Sequence, residues 1–102
     1  MTIYHAKPLG ERRLKAAIKE RWNNNAVIIR HHARKRMAER NITIQDVKNI
    51  LWYGQLMDHS MPEGTWRYKI EGHTLNNKQG SCVVEIEDAL IIVTVIGERR
   101  IS

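Results

Sequence analysis

His32, Arg36 and Arg40 stand four residues apart, so on a helix all three share one face. An imidazole exchanges protons near neutral pH, and a guanidinium grips a phosphate through two parallel N–H bonds. Arg34 adds a further cation to the same stretch. Ala33 and Met37 form the neighbouring apolar stripe, which would pack on a sheet and aim His32 and Arg36 along the edge of that contact. The second group is Trp66-Arg67-Tyr68. Rings stack on bases, arginine pairs with phosphate, and a phenol can pass a proton. Successive strand residues point to opposite faces, so only one of Arg67 and Tyr68 can join a given site on a regular strand. Arg67 is the member expected there if Trp66 is buried, Tyr68 if Trp66 is exposed. Thr94 is a lone hydroxyl in an otherwise apolar run. Each group also has a plainer use: charge runs solvate helix faces, strand aromatics fill cores, and threonine suits strands.

Other chemistries find little support. The chain contains no P-loop, no Gly-x-Gly-x-x-Gly, no His-Glu-x-x-His and no Gly-x-Ser-x-Gly. Acids are scarce in the first half, which argues against a two-metal carboxylate nuclease, and the five histidines lack ligand spacing. No metal and no cofactor are expected. One cysteine, Cys82, rules out an intramolecular disulfide and reads as a small buried hydrophobe rather than a nucleophile. No apolar run reaches the roughly 18 residues of a membrane span, and the N-terminus shows no signal-peptide core. A cytoplasmic protein with no membrane partner is expected.

Charge is unevenly spread. Residues 1–40 hold 11 Lys and Arg against three acids, a net of +8, whereas residues 41–102 hold six against eight, a net of −2. A basic first half concentrates phosphate-rich partners. A polyanionic partner is what this favours.

The elements that must position these residues fit one domain of 102 residues. Residues 1–10 read as an extended lead-in and 97–102 as a C-terminal tail. Leu14, Ala17, Ile18 and Trp22 define a helix over 11–22, ended by Asn23-Asn24-Asn25. Ala26–Arg30 is a short β-branched run, and 31–40 a basic helix with Asn41 at its C-cap. Thr43-Ile44-Gln45-Asp46 fits a capping box, with Ile42 and Val47 as its hydrophobic staple, so a helix spans 44–53 and stops at Gly54. The period then falls to two. Residues 56–59 suit an edge strand, 61–64 a turn and 65–71 a strand; 72–80 reads as a polar loop. Strands over 81–87 and 90–96 form a hairpin, the last of them central. The expected fold is α+β, with N-terminal helices packed on one face of an antiparallel sheet of three to four strands.

The run His32-Ala33-Arg34-Lys35-Arg36-Met37-Ala38-Glu39-Arg40-Asn41-Ile42, followed by Asp46-Val47, Gly54, Trp66-Arg67-Tyr68 and Val93-Thr94-Val95, resembles a family of small bacterial domains of unknown function. The resemblance covers about residues 11–96, with Asn41 where glycine is commoner. It implies the RelE-like fold of barnase, EndoU, colicin and RelE-type nucleases, some members being toxins encoded beside an MqsA-type antitoxin. The activity so implied is metal-independent RNA cleavage through the 2′-hydroxyl. Carried over by position, His32 would be the acid or base, Arg36 and Arg67 phosphate clamps, and Tyr68 the other proton-transfer group. Arg34, Arg40, Trp66 and Thr94 would bind the RNA, which could be ribosome-associated, and a cognate antitoxin would be the protein partner. The alternative is a catalytically inactive RNA-binding or partner-binding module of the same fold. A third class is an accessory protein docking another chain through its last strand or through Glu98-Arg99-Arg100.

Overall fold

A computed structural model describes residues 7–97. The elements run α1 (Glu11–Asn23), β1 (Val27–Ile29), α2 (His31–Arg40), α3 (Ile44–Tyr53), β2 (Gln55–Ser60), β3 (Arg67–His73), β4 (Gln79–Ile86) and β5 (Leu90–Gly97). The fold is α+β, with the helices ahead of most of the sheet. Five strands lie in the order β1-β5-β4-β3-β2. The expected meander is β2 to β5, antiparallel throughout, with β2 at the edge and β5 interior. The sheet exceeds the expected three to four strands because β1 adds to β5, and it does so in parallel, through Val27↔Leu90, Ile28↔Ile91 and Ile29↔Ile92. Three β-branched and apolar residues suffice there, since β5 is already fixed on its other side.

The lead-in and tail fall partly outside the described residues, as does Glu98-Arg99-Arg100. The polar stretch 72–80 is shorter as a loop than expected. The β3–β4 ladder continues through Gly72↔Gly80 and His73↔Gln79, leaving only residues 74–78 to turn the chain. Polar side chains and glycines obscure a strand whose pairing is a backbone property.

Alternation divides the sheet cleanly. Tyr68 and Ile70 of β3, Cys82, Val84 and Ile86 of β4, and Leu90, Ile92 and Val95 of β5 face the helices. They meet Leu14 and Ile18 of α1, Ala33 of α2, and Val47, Ile50 and Leu51 of α3 in one core. Each such aliphatic chain contributes about 1.5–3 kcal/mol on burial. A bulge at Val93 restores the register, so that Val95 still points inward. All three helices send their buried side chains into this layer, which leaves the other face of the sheet open.

Helix α3 comes closest. Gly54 has an ordinary φ of −77°, so its lack of a side chain serves proximity and not a left-handed turn. A Cβ there would collide with the carbonyl oxygens of Ile50 and Glu71, and one on Gly80 would meet Ile50 Cδ1 at 2.9 Å. Lys15 of α1 secures the end of α3, donating to the carbonyls of Trp52 (3.0 Å) and Gly54 (2.6 Å). Burial lowers its ammonium below the ordinary 10.5, with Glu11 opposing and Lys19 adding to the shift.

Helix α2 occupies a different position. Arg30 N–H bonds to Ile92 O, and a side chain on Gly97 would touch Arg40 Cβ at 3.3 Å. The helix thus starts beside the middle of β5 and finishes beside its end. Its ten residues span about 15 Å, close to the ~16 Å of five strand residues. It continues the line of β1 along the edge of β5. Asn41 closes it in the left-handed conformation, φ 54°, which asparagine tolerates better than most residues.

The capping box at the head of α3 is present in full: Asp46 N–H donates to Thr43 Oγ1 (3.1 Å), and Thr43 N–H to Asp46 Oδ2 (2.9 Å). The second oxygen, Oδ1, accepts from Leu75 N–H at 2.9 Å and so ties the β3–β4 loop to the helix. Burial alone would raise the Asp46 carboxyl. The N–H groups of Thr43 and Leu75 and the Thr43 hydroxyl outweigh it and hold the carboxyl below 3.8. A depressed carboxyl stabilises the fold above its unfolded pKa, and that stability is lost as pH falls through the lower folded value. Urea unfolding of wild type and Asp46→Asn should therefore differ clearly at pH 7, and the gap should narrow steadily below about pH 4. A constant gap down to pH 2 would contradict this role.

Candidate nucleic-acid interface

The open face of the sheet carries a row built by register. Ile28, Ile91, Glu85, Arg67 and Ser60 lie side by side across all five strands. Glu85 is nearly enclosed, its side chain 5% exposed, although no apolar layer covers it. Two guanidinium groups enclose it instead. Arg30 Nη2 reaches Glu85 Oε1 at 3.0 Å, and Arg67 Nε reaches Oε2 at 2.9 Å. Arg67 Nη2 also lies 3.7 Å from the exposed Glu63. Arg30 is the N-cap of α2, so the cluster adjoins the first turn of the basic helix. No side chain caps that turn, and His31 and His32 open it, both exposed.

The structure separates the candidate residues. Ala33 is buried and Met37 half-buried, as the apolar stripe requires, while His32, Arg34, Arg36 and Arg40 are exposed. Among the described residues, Arg34, Lys35 and Arg36 have no ion-pair partner. Arg40 lies at the opposite end of the helix from Arg30. There it lines a cavity of about 560 Å³ with Asn41, Thr74, Lys78, Gln79 and Gly97.

On β3 the parity rule decides the remaining pair. Trp66 is half-buried against the core, its ring 5.3 Å from that of His59 in an edge-on contact. Tyr68 is 1% exposed, and its hydroxyl accepts the N–H of Leu9 at 2.9 Å. Tyr68 therefore fills the core on the helix side, and Arg67 is the member on the open face. The joint use of Arg67 and Tyr68 that the resemblance implies does not form, because regular pairing through Tyr68↔Val84 leaves no bulge to turn the phenol outward. Thr94 is half-exposed on the open face, opposite Val83.

Arg30 and Glu85 are the members that sequence reasoning missed. The sequence-level signal for Glu85 is an acid at an outward position in an apolar strand, between Val83 and Glu87. The signal for Arg30 is weaker, since nothing local links it to a residue 55 positions away. Among the described residues, no group of three or more His, Cys, Asp or Glu is placed to hold a metal ion, and no helix is long and apolar enough to cross a membrane.

A domain with helices layered on one sheet face, and a basic helix beginning beside charged residues on the other, is what the geometry defines. Residues 29–97 match the family model described as Domain of unknown function (DUF4258), and the chain belongs to that family. No curated protein and no solved structure matches it.

Burial pushes the Cys82 thiol up to about 12, so it stays protonated through the neutral range. A thiol reagent at pH 8 should leave native Cys82 unmodified over hours and label it within minutes in denaturant. Rapid labelling of the native protein would show the core layer to be open.

Proposed function

We propose that this domain binds RNA along α2 and the open sheet face, and cleaves it without a metal ion as a toxin of the RelE-like class. The observation that carries the reading is the first turn of α2. There two exposed histidines begin a helix whose Arg34, Lys35 and Arg36 have no ion-pair partner among the described residues, beside the face holding Arg67 and Thr94. RNA supplies its own nucleophile. A base takes the 2′-hydroxyl proton, the 2′-oxygen attacks phosphorus, and the bond to the 5′-oxygen breaks as an acid protonates that oxygen. A 2′,3′-cyclic phosphate and a 5′-hydroxyl result. His32 serves one proton transfer, and His31, its exposed neighbour, is the available second carrier in place of the enclosed Tyr68. Arg36 and Arg67 stabilise the charge that builds on the phosphorane. Such a toxin would act on cytoplasmic RNA, ribosome-bound or free, and be held in check by an antitoxin that masks the basic face.

The burial of Tyr68 favours a second reading, a catalytically silent RNA-binding module. One experiment separates the two. Purified protein is incubated with single-stranded RNA in EDTA, and the product ends are identified. Cyclic phosphate ends should form, and His32→Ala should slow cleavage by about 10²–10⁴-fold. Salt-sensitive binding with no cleavage would support the silent module, and no binding at low salt would defeat both.

A further inference from the structure

Glu85 lies in a row whose neighbours toward β1 are Ile91 and Ile28, and an apolar residue at its place would pack there without difficulty. A carboxylate buried beneath two partly exposed arginines adds little stability, because its desolvation offsets their attraction. Its geometry does something else. One carboxylate draws Arg30 from the junction of β1 and α2 and Arg67 from β3 onto a single point, each by one N–H at 2.9–3.0 Å. Each guanidinium carries five N–H donors, so among the described residues most donors of Arg30 and several of Arg67 are unused. Arg30 is 44% exposed and Arg67 24%, while the carboxylate beneath them is 5% exposed. From outside, the cluster presents two converging guanidinium groups with the Glu85 carboxylate underneath and the exposed Glu63 at the rim, 3.7 Å from Arg67 Nη2.

We infer that Arg30 and Arg67, held by Glu85, form a built binding site for one phosphodiester group of the RNA strand. The inference rests on the RNA-binding part of the proposed function and does not need cleavage. Glu85 is a positioning residue. It keeps two flexible side chains in one place before the ligand arrives, so less freedom is lost on binding. The two cationic charges of this cluster should then matter more than two exposed charges of residues 1–40 that lie outside it.

The sign of one substitution gives the test. Glu85→Gln makes the protein more positive. If the arginines act only as part of a diffuse basic surface, RNA binding tightens. If Glu85 organises the site, binding weakens despite the added charge. The probe is a short labelled 2′-O-methyl RNA, which binds but cannot be cleaved, followed by fluorescence anisotropy across a salt series. Arg30→Gln and Arg67→Gln should each weaken binding several-fold and lower the salt slope by about one. Arg30→Lys and Arg67→Lys, which keep the charge and lose the fork, should also weaken it. Arg12→Gln, on α1 outside the proposed interface, should leave affinity and slope close to those of wild type. Glu85→Gln should weaken binding several-fold, with thermal unfolding confirming that it folds; the exposed Arg30→Lys variant carries the test if it does not. Inorganic phosphate at millimolar concentration should compete with the RNA in wild type and lose its effect in Arg30→Gln, separating a free-phosphate site from one needing the whole strand. Tighter or unchanged binding by Glu85→Gln, or unchanged binding by the lysine variants, overturns the inference. If the RNA binds as expected but natural RNA is not cleaved, the site stands and the nuclease reading falls.

Discussion

Helix α3 rests on the sheet at backbone distance, and glycine makes that distance possible. Ile50 packs over the strip where Gly72 and Gly80 pair, and Gly54 leaves the helix against the carbonyl of Glu71. Side chains at these positions would push the helix outward by more than the core could fill. With α3 fixed so closely, the strand parity of β3 and β4 is fixed with it. Tyr68, Ile70, Cys82 and Val84 must face inward, and Arg67 and Glu85 must then face out. The composition of the open face follows from how tightly the other face is packed.

The same constraint explains what the sequence made visible. Local signals reported faithfully: the capping box at Thr43 and Asp46, the alternation through Tyr68 and Ile70, the left-handed asparagine at 41, and the apolar run of β5. Each depends on a few neighbouring residues. The parallel pairing of β1 escaped notice because it depends on β5, far along the chain. The continuation of β3 and β4 through residues 71–81 escaped because glycine and polar side chains carry no strand signature while their backbones still pair. The site divides in the same way. His32, Arg34, Arg36 and Arg40 declared themselves by helical spacing, whereas Arg30 and Glu85 acquire meaning only from a contact across β5. Tyr68 and Arg67 are adjacent in sequence and separated by the thickness of the sheet.

Charge and topology reinforce each other along β5. A strand edge left unpaired beyond Ile92 would offer itself to other chains. Helix α2 lies along that edge and presents arginines and a lysine outward, so one element both closes the sheet and forms the basic surface. An apolar helix could close the edge equally well. The cations on its outer face are therefore extra to that structural task.

The parallel pairing of β1 with β5 also sets the order in which the molecule can be completed. The hairpins from β2 to β5 close over short loops, whereas Val27↔Leu90 closes over roughly 60 residues, and closure entropy rises with loop length. The β1–β5 ladder is accordingly the most non-local pairing in this sheet. Arg30 is anchored beside that ladder and begins α2, so the convergence of Arg30 on Glu85 depends on β1 being in place. The meander alone, without β1, sets Arg67 on Glu85 but gives no place to Arg30. The two-arginine cluster is thus complete only when the first and last strands of the sheet meet.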